Sequence, residues 1–167
     1  SRGELIHSVA YVDSWWASDR RDGGYALEMI DAANPCGEAD NWRASTAAVG
    51  GTPGRSNAVA ASNPDRTPPV AERVEVVNES LLTVHFNERL DSLGSIQSGL
   101  YELKGRTVRK SSIDPPAFHG LSLLLDAPLV AGQRYELTIR NVTDCAGNRS
   151  KETKFQVGVP VKADSGD

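Results

Sequence analysis

Strict alternation of polar and apolar residues decides the fold class, and it is clearest in the segment Arg134-Tyr135-Glu136-Leu137-Thr138-Ile139-Arg140. Tyr135, Leu137 and Ile139 fall on one face of an extended chain, and the polar residues between them fall on the other. A period of two is typical of a β-strand that is buried on one side and hydrated on the other. The segment therefore predicts a half-buried strand.

The same alternation recurs on both sides of this segment, and Gly, Pro, Asn and Asp separate its repeats. It predicts about seven strands in some ninety residues, at 70–77, 82–86, 99–103, 107–112, 121–125, 135–140 and 155–159. No long stretch has apolar residues at the helical spacing i, i+3, i+4, i+7. Strands of this length and density are typical of an immunoglobulin-like sandwich, so the predicted fold class is all-β.

The first part of the chain offers fewer strands. Alternation predicts one strand at 4–13 and a second at 25–30, and residues 31–61 are rich in turn-forming residues. Two strands do not form a stable domain by themselves. The sequence therefore predicts a partial, loop-rich β segment that either leans on the next domain or lacks its front half.

Prolines mark the domain boundary. Residues 62–69 read Ser-Asn-Pro-Asp-Arg-Thr-Pro-Pro, a stiff extended linker, because proline fixes its own φ and extends the residue before it. We therefore predict a partial β segment at 1–61, a linker at 62–69, a sandwich at 70–160 and a polar tail at 161–167. Both ends resemble cut ends, so the chain is expected to be a fragment of a larger protein.

The charge argues against two classes of partner. The net charge is -4, and the densest basic stretch, 106–110, contains three Lys or Arg residues. Nucleic acid and anionic membranes both require a basic surface, so neither is an expected partner. The sequence also has no apolar run of about 20 residues that would cross a membrane as a helix.

Two cysteines, Cys36 and Cys145, are far apart and lack the CxxC spacing of a zinc or redox site. Three interpretations stay open: two buried thiols in an intracellular protein, a structural disulfide in an exported one, or pairing with parts outside this sequence. A Cys36–Cys145 bridge would close a loop of about 110 residues and stabilise the fold by up to about 4–5 kcal/mol in the chain-entropy model.

The second part of the chain resembles a bacterial Ig-like domain of the kind repeated along surface proteins. The resemblance covers residues 65–159 and rests on four motifs in order, none of them specific alone: DRTPP at 65–69, VHFNERLD at 84–91, LVAGQRYEL at 129–137 and VTDCAGN at 142–148.

The first part resembles the C-terminal half of a lamin-tail domain in its bacterial, exported form, which is also an Ig-like sandwich. The matching residues are VAY at 9–11, WW at 15–16, DGGYALE at 22–28, NWRAS at 41–45 and GGTPGRSN at 50–57. The early strands of that family have no counterpart here, which argues against independent folding of residues 1–61.

The two resemblances together imply a large secreted or cell-surface protein of the Bacteroidetes type, associated with the outer membrane or the periplasm. The implied function is that of a non-catalytic structural or interaction module, whose partners are neighbouring domains of the same polypeptide. One alternative is a carbohydrate- or protein-binding adhesin-type module. Another is an accessory domain of an exported hydrolase.

Aromatic residues in the first part are the candidate binding residues, at Trp15, Trp16, Tyr25 and Trp42. An exposed aromatic platform could bind a glycan or a protein. The alternative is that these rings, with Tyr11, fill the core and the contact with the next domain.

No residue pattern indicates catalysis or a cofactor. His7, His85 and His119 have no metal-ligand spacing, Gly-x-Ser-x-Gly is absent, and the glycine-rich segment 50–54 lacks the Lys-Ser/Thr of a phosphate loop. We expect Glu88 and Asp91 to make turn hydrogen bonds. Oxygens that could gather around calcium at the domain junction lie on Asp65, Glu88, Asp91, Asp144 and Asn148, but no Asp-x-Asp-x-Asp loop occurs, so no metal site is predicted.

Overall fold

The computed structural model describes residues 9–161 of the 167-residue chain. The chain divides into two compact units, Ser1–Arg66 and Thr67–Asp167, called unit 1 and unit 2 below. Among the described residues no helix has the length and hydropathy needed to cross a membrane. The division point lies inside the proline-rich segment 62–69.

Unit 1 contains very little regular structure. Two three-residue strands, β1 (Leu27–Met29) and β2 (Trp42–Ala44), pair antiparallel, with Glu28 opposite Arg43. Two short 3-10 turns, Asp13–Trp15 and Ala39–Asn41, complete its regular elements among the described residues. β1 lies inside the predicted strand 25–30, whereas β2 lies in the stretch expected to hold only turns.

The predicted strand at 4–13 is wrong in its described part. Residues 9–12 are not part of a strand, and the 3-10 turn starts at Asp13. The Trp15 N–H donates to the carbonyl of Val12 at 3.0 Å, and the Trp16 N–H donates to Asp13 at 3.2 Å. These two N–H groups therefore bond to carbonyls three residues earlier in the same segment, as in a turn. Residues 4–8 lie outside the described residues.

Unit 2 is a β-sandwich whose seven strands lie within one or two residues of their predicted ends. They are β3 (Ala71–Asn78), β4 (Leu81–Phe86), β5 (Tyr101–Leu103), β6 (Val108–Asp114), β7 (Gly120–Leu125), β8 (Tyr135–Ile139) and β9 (Thr153–Val157). One antiparallel sheet has the order β3-β4-β7-β6 and the other has the order β5-β8-β9. This is the four-plus-three strand order of a constant-type immunoglobulin domain. The predicted Ig-like all-β fold is confirmed.

Apolar side chains from both sheets form a single core. In the four-stranded sheet Leu123 lies opposite Leu82, and in the three-stranded sheet Leu137 lies between the two edge strands. All three side chains are fully buried. Other core residues come from nearly every strand and from the loops around them: Val84, Phe86, Leu90, Tyr101, Leu103, Val108, Leu121, Leu125, Leu129, Tyr135, Ile139, Val142 and Val157. The alternation in the sequence thus places one face of each sheet against the other.

The outer face of the three-stranded sheet is occupied by ion pairs. Glu136 on β8 lies between two lysines: Lys104 Nζ is 2.7 Å and Lys154 Nζ is 3.5 Å from the same carboxylate oxygen. Arg140 Nη2 and Glu102 Oε2 are 2.6 Å apart. The hydrogen bond and charge of Lys104 lower the pKa of Glu136, and the hydrogen bond and charge of Glu136 raise the pKa of Lys104. The face is therefore a solvated surface.

The sheet edges are short or charged. β5 has three residues, and β6 on the edge of the larger sheet carries Arg109 and Lys110. Exposed edge strands invite pairing with other chains, and charged side chains on an edge oppose that pairing. These two edges of unit 2 are therefore protected against strand addition.

Adjacent leucines on β7 test the sandwich packing. Leu123 is fully buried, and Leu124 is 40% exposed on the opposite face. We expect Leu123→Ala to lower the free energy of unfolding by about 2–5 kcal/mol, because it opens a cavity in the core. The same change at Leu124 should cost about 1 kcal/mol or less. Urea unfolding followed by far-UV circular dichroism measures both, and equal costs would contradict this arrangement of faces.

Candidate functional site

Two sets of contacts order the aromatic residues of unit 1: one joins Tyr11 and Trp16, and the other joins Tyr25 and Arg20. Trp16 donates its indole N–H to the carbonyl of Tyr25 at 3.0 Å, and the ring of Tyr11 meets Trp16 edge-on with centroids 5.6 Å apart. Trp15 lies in the preceding 3-10 turn and is half-buried. The rings are therefore ordered by specific contacts, and none of the four candidate rings is fully buried.

A groove of about 360 Å³ lies within unit 1 and is lined by Val9, Tyr11, Trp16, Leu27 and Trp42. Of the candidate binding residues, Trp16 and Trp42 line this groove, and Trp15 and Tyr25 do not. Sequence reasoning missed Val9 and Leu27. Leu27 had a signal, because it shares a face with Tyr25 and Met29 in the alternating segment 25–30.

Arg20 holds the ring of Tyr25 in place. Its guanidinium lies 5.2 Å from the centroid of the Tyr25 ring, and its Nη1 donates to the carbonyl of Ser45 at 2.6 Å. A guanidinium over an aromatic face is attracted by the negative charge of the π system. Tyr25 is thus held by Arg20 and does not line the groove.

The interior of unit 1 is polar. Asn41 is fully buried at the end of the second 3-10 turn and makes hydrogen bonds with both side-chain atoms. Its Nδ2 donates to the carbonyls of Asp31 at 2.8 Å and Asn34 at 2.6 Å. Its Oδ1 accepts from the Asp31 N–H at 2.9 Å and from Asn63 Nδ2 at 3.3 Å. A single side chain therefore satisfies four polar groups of separate loops.

Glu28 is the buried acid of unit 1, with 5% of its surface exposed. Oε1 accepts from the hydroxyl of Thr52 at 2.5 Å, and Oε2 accepts from the Ala58 N–H at 2.9 Å. The Thr52 hydrogen bond lowers the pKa of Glu28 most, and the Ser45 hydroxyl and the Ala58 N–H lower it further. The carboxylate therefore joins β1 to the loop 52–58.

The glycine-rich segment 50–54 acts as the predicted turn. Gly50 has φ +86°, and an added Cβ would lie 1.8 Å from the carbonyl oxygen of Gly24. The Ala26 N–H donates to the Gly50 carbonyl at 2.7 Å. Only glycine fits this close approach, so the segment fixes the loop beside β1.

Two carboxylates of unit 2, Asp91 and Asp144, bond within their own loops. Asp91 accepts from the N–H groups of Leu93 at 3.1 Å and Gly94 at 3.0 Å, which is the expected turn role. Asp144 is 3% exposed and accepts from the Asn148 N–H and Nδ2, both at 2.8 Å. These bonds shape the β4–β5 and β8–β9 connections.

The described histidines lie on different segments. His85 is on the outer face of β4, where its Nε2 is 3.1 Å from Glu75 Oε2, and His119 immediately precedes β7. His7 lies outside the described residues. His85 therefore has a cross-strand partner on β3, consistent with the expected strand-face position.

Both cysteines are disulfide-bonded, and no free cysteine is found among residues 9–161. Cys36 is in a loop of unit 1, and Cys145 is in the β8–β9 connection of unit 2. Each is half-buried.

Comparison with known proteins gives structural neighbours only. No family model matches the chain, and no curated protein is significantly similar to it. The S-layer protein rSbsC(31-844) is 17% identical, with a TM-score of 0.52 over 56% of this chain and 14% of its own. The N-terminal part of the bacterial S-layer protein SbsC is 17% identical, with a TM-score of 0.51 over 56% and 24%.

A third structure, domains 1-6 of surface layer protein SbsC, has 17% identity and a TM-score of 0.52 over 57% of this chain and 14% of its own. The chain thus spans a quarter or less of each of these proteins. At this identity the likeness establishes a shared β fold.

The pKa of Glu28 predicts an acid-sensitive unit 1. A lowered folded-state pKa contributes stability above the unfolded value, near 4.5, and this contribution is lost as the pH falls through the folded value. Asp31 adds to it, because the N–H groups of Asn63 and Ala33 lower its pKa too. We expect Glu28→Gln to destabilise unit 1 at pH 7 and to differ less from the wild type at an acidic pH below the folded-state pKa of Glu28.

Tryptophan emission during urea unfolding at both pH values measures this effect, since all three tryptophans lie in unit 1. Asp22→Asn, in the exposed loop 19–24, makes the same charge change away from the interior and should leave the pH profile unaltered. An unchanged profile in the Glu28 variant would refute the structural role of this carboxylate.

Proposed function

We propose that the chain is a non-catalytic structural and interaction module of a larger secreted or cell-surface bacterial protein. It spaces or presents neighbouring domains of the same polypeptide. The observation that carries this proposal is the core of unit 2, where apolar side chains of both sheets fill the space between them. In such a sandwich the interior serves stability, and function depends on the ends and the surfaces.

The ionisable groups support a structural role. Five carboxyl groups among the described residues have a lowered pKa: Glu28, Asp31, Glu75, Asp126 and Glu136. A general acid or base that works near neutral pH needs a pKa moved toward 7. These carboxylates are instead held charged by hydrogen bonds and neighbouring cations, as structural groups are.

The finer interpretation follows the family resemblances. Residues 1–61 would be the back half of a lamin-tail domain, 62–69 a linker and 70–160 a bacterial Ig-like domain with a polar tail. The likeness to S-layer structures, whose names place them at the bacterial surface, supports an exported location. An accessory role beside an exported hydrolase stays a prediction that the adjoining coding sequence will test.

Antibody labelling tests the location. Antibodies against the purified chain should label intact cells of the source bacterium or detect the protein in its medium, because an exported module is outside the inner membrane. Labelling of intact cells and of cells with a permeabilised outer membrane distinguishes the surface from the periplasm. A signal confined to the cytoplasmic fraction, with a cytoplasmic enzyme as fractionation control, would contradict the proposal.

A second candidate function, ligand binding in unit 1, is favoured by the groove between Trp16 and Trp42. Three of its five lining side chains have no polar group free for a ligand, since Val9 and Leu27 are aliphatic and the Trp16 N–H is already bonded to the Tyr25 carbonyl. Sugars need hydrogen bonds as well as aromatic faces, so the lining favours an apolar protein side chain over a glycan.

Tryptophan emission tests this binding. A panel of extended leucine-containing peptides should change the emission and saturate, and a panel of soluble oligosaccharides should not. Trp42→Ala should abolish the response, and Trp15→Ala, outside the groove, should preserve it. Saturable binding of oligosaccharides alone would reverse the choice of ligand, and no response to either panel would remove this candidate.

A further inference from the structure

We propose that a Cys36–Cys145 disulfide is the condition for unit 1 to fold, whereas unit 2 folds without it. The chain would then contain a redox switch in which reduction unfolds unit 1 selectively. This inference rests on the proposed exported location, because disulfides persist in oxidising compartments. It begins from the fact that this chain has two cysteines and that both are disulfide-bonded.

The two units differ sharply in apolar burial. Unit 2 contributes seventeen buried apolar residues to one core. Among the described residues of unit 1, Ala44 is the only fully buried apolar residue, and the other buried side chains are polar: Glu28, Asn34, Asn41 and Ser45. Because apolar burial is the main favourable contribution to folding, the described part of unit 1 gains much less from fully buried apolar side chains than unit 2 does.

Hydrogen bonds do not replace that burial. The Asn41 and Glu28 networks satisfy the loops of unit 1, but folding exchanges these bonds for equivalent bonds to water, so the net gain of each is small. The paired strands β1 and β2 are three residues long, and a two-stranded sheet is marginal even when longer. Unit 1 therefore depends on a restraint that its own packing does not supply.

The proposed bridge supplies this restraint by limiting the number of conformations that the unfolded segment can adopt. With unit 2 folded, the flexible part of the closed loop is the 30 residues from 37 to 66. Closing a loop of about 30 residues reduces the conformational freedom of the unfolded segment by roughly several hundred-fold. Reduction should lower the folding equilibrium constant of unit 1 by that factor, enough to unfold a marginal unit.

Selective unfolding of unit 1 would also remove the candidate binding groove. The groove lined by Trp16, Leu27 and Trp42 consists entirely of unit 1 residues. It would be assembled only after the bridge has formed, outside the reducing cytoplasm. Before export the same residues would belong to an unfolded segment attached to a folded or folding sandwich.

The chain carries its own reporters for the experiment. All three tryptophans, Trp15, Trp16 and Trp42, lie in unit 1, so tryptophan emission and acrylamide quenching report on unit 1 alone. Hydrogen exchange measured by mass spectrometry on peptides that cover β4, β7 and β8 reports on unit 2. Intact mass under denaturing, non-reducing conditions should rise by about 2 Da on reduction if the bridge is present.

The experiment compares the full chain before and after reduction with the double variant Cys36→Ser/Cys145→Ser. Reduction should shift tryptophan emission to the red, raise acrylamide quenching toward its value in urea, and leave exchange in β4, β7 and β8 unchanged. The double variant should match the reduced protein without reductant, which separates loss of the bond from any effect of the reductant itself.

Three outcomes overturn the inference. Unchanged tryptophan signals in fully reduced protein would show that unit 1 folds without the bridge. Loss of exchange protection in both units on reduction would show one cooperative fold with no selective switch. An intact mass that does not rise on reduction would refute the pairing itself, while the antibody test of location would still decide the proposed function independently.

Discussion

The structure depends on the interdigitation of aliphatic side chains between two antiparallel sheets. Leu82, Leu123 and Leu137 come from different strands, and each is fully removed from water. At about 25 cal/mol per Å² of buried apolar surface, such side chains dominate the free energy of a small domain. Because the core is continuous across both sheets, each strand needs the others to bury its inner face. This mutual requirement brings the inner faces of the two sheets together and leaves the outer face of the three-stranded sheet to ion pairs.

The same constraint explains why unit 1 is built differently. Its loops leave few apolar side chains to bury, so its order comes from Asn41, Glu28 and the close approach at Gly50. Such a network sets geometry well, because each donor has one acceptor at a defined distance. It contributes less net stability than packing does. The chain thus joins a unit held by apolar burial to one held by polar contacts, and only the latter forms the aromatic groove.

The sequence predicted unit 2 well because its signal is a repeated physical requirement. Residues 135–140 alternate strictly, and burial of Tyr135, Leu137 and Ile139 follows directly. The strand predicted at 4–13 failed in its described part, because Val9 and Tyr11 alternate as strand residues do and yet line a groove. β2 was missed for the converse reason, since three residues carry too little pattern. Trp16 and Trp42 were identified by residue type, whereas their distinction from Trp15 and Tyr25 required the fold.

The contrast between the units bears on what the module can do. The short edge strand β5 and the charged edge strand β6 protect the sandwich against strand addition at those two edges. A polar unit with half-buried rings has a surface of a different kind, and its loops are held by hydrogen bonds to the Glu28 and Asp31 carboxylates. Acidification protonates the Glu28 carboxylate, whose hydrogen bonds join β1 to the loop 52–58, so these contacts weaken as the pH falls. Apolar packing and polar hydrogen bonding are therefore divided between the two units.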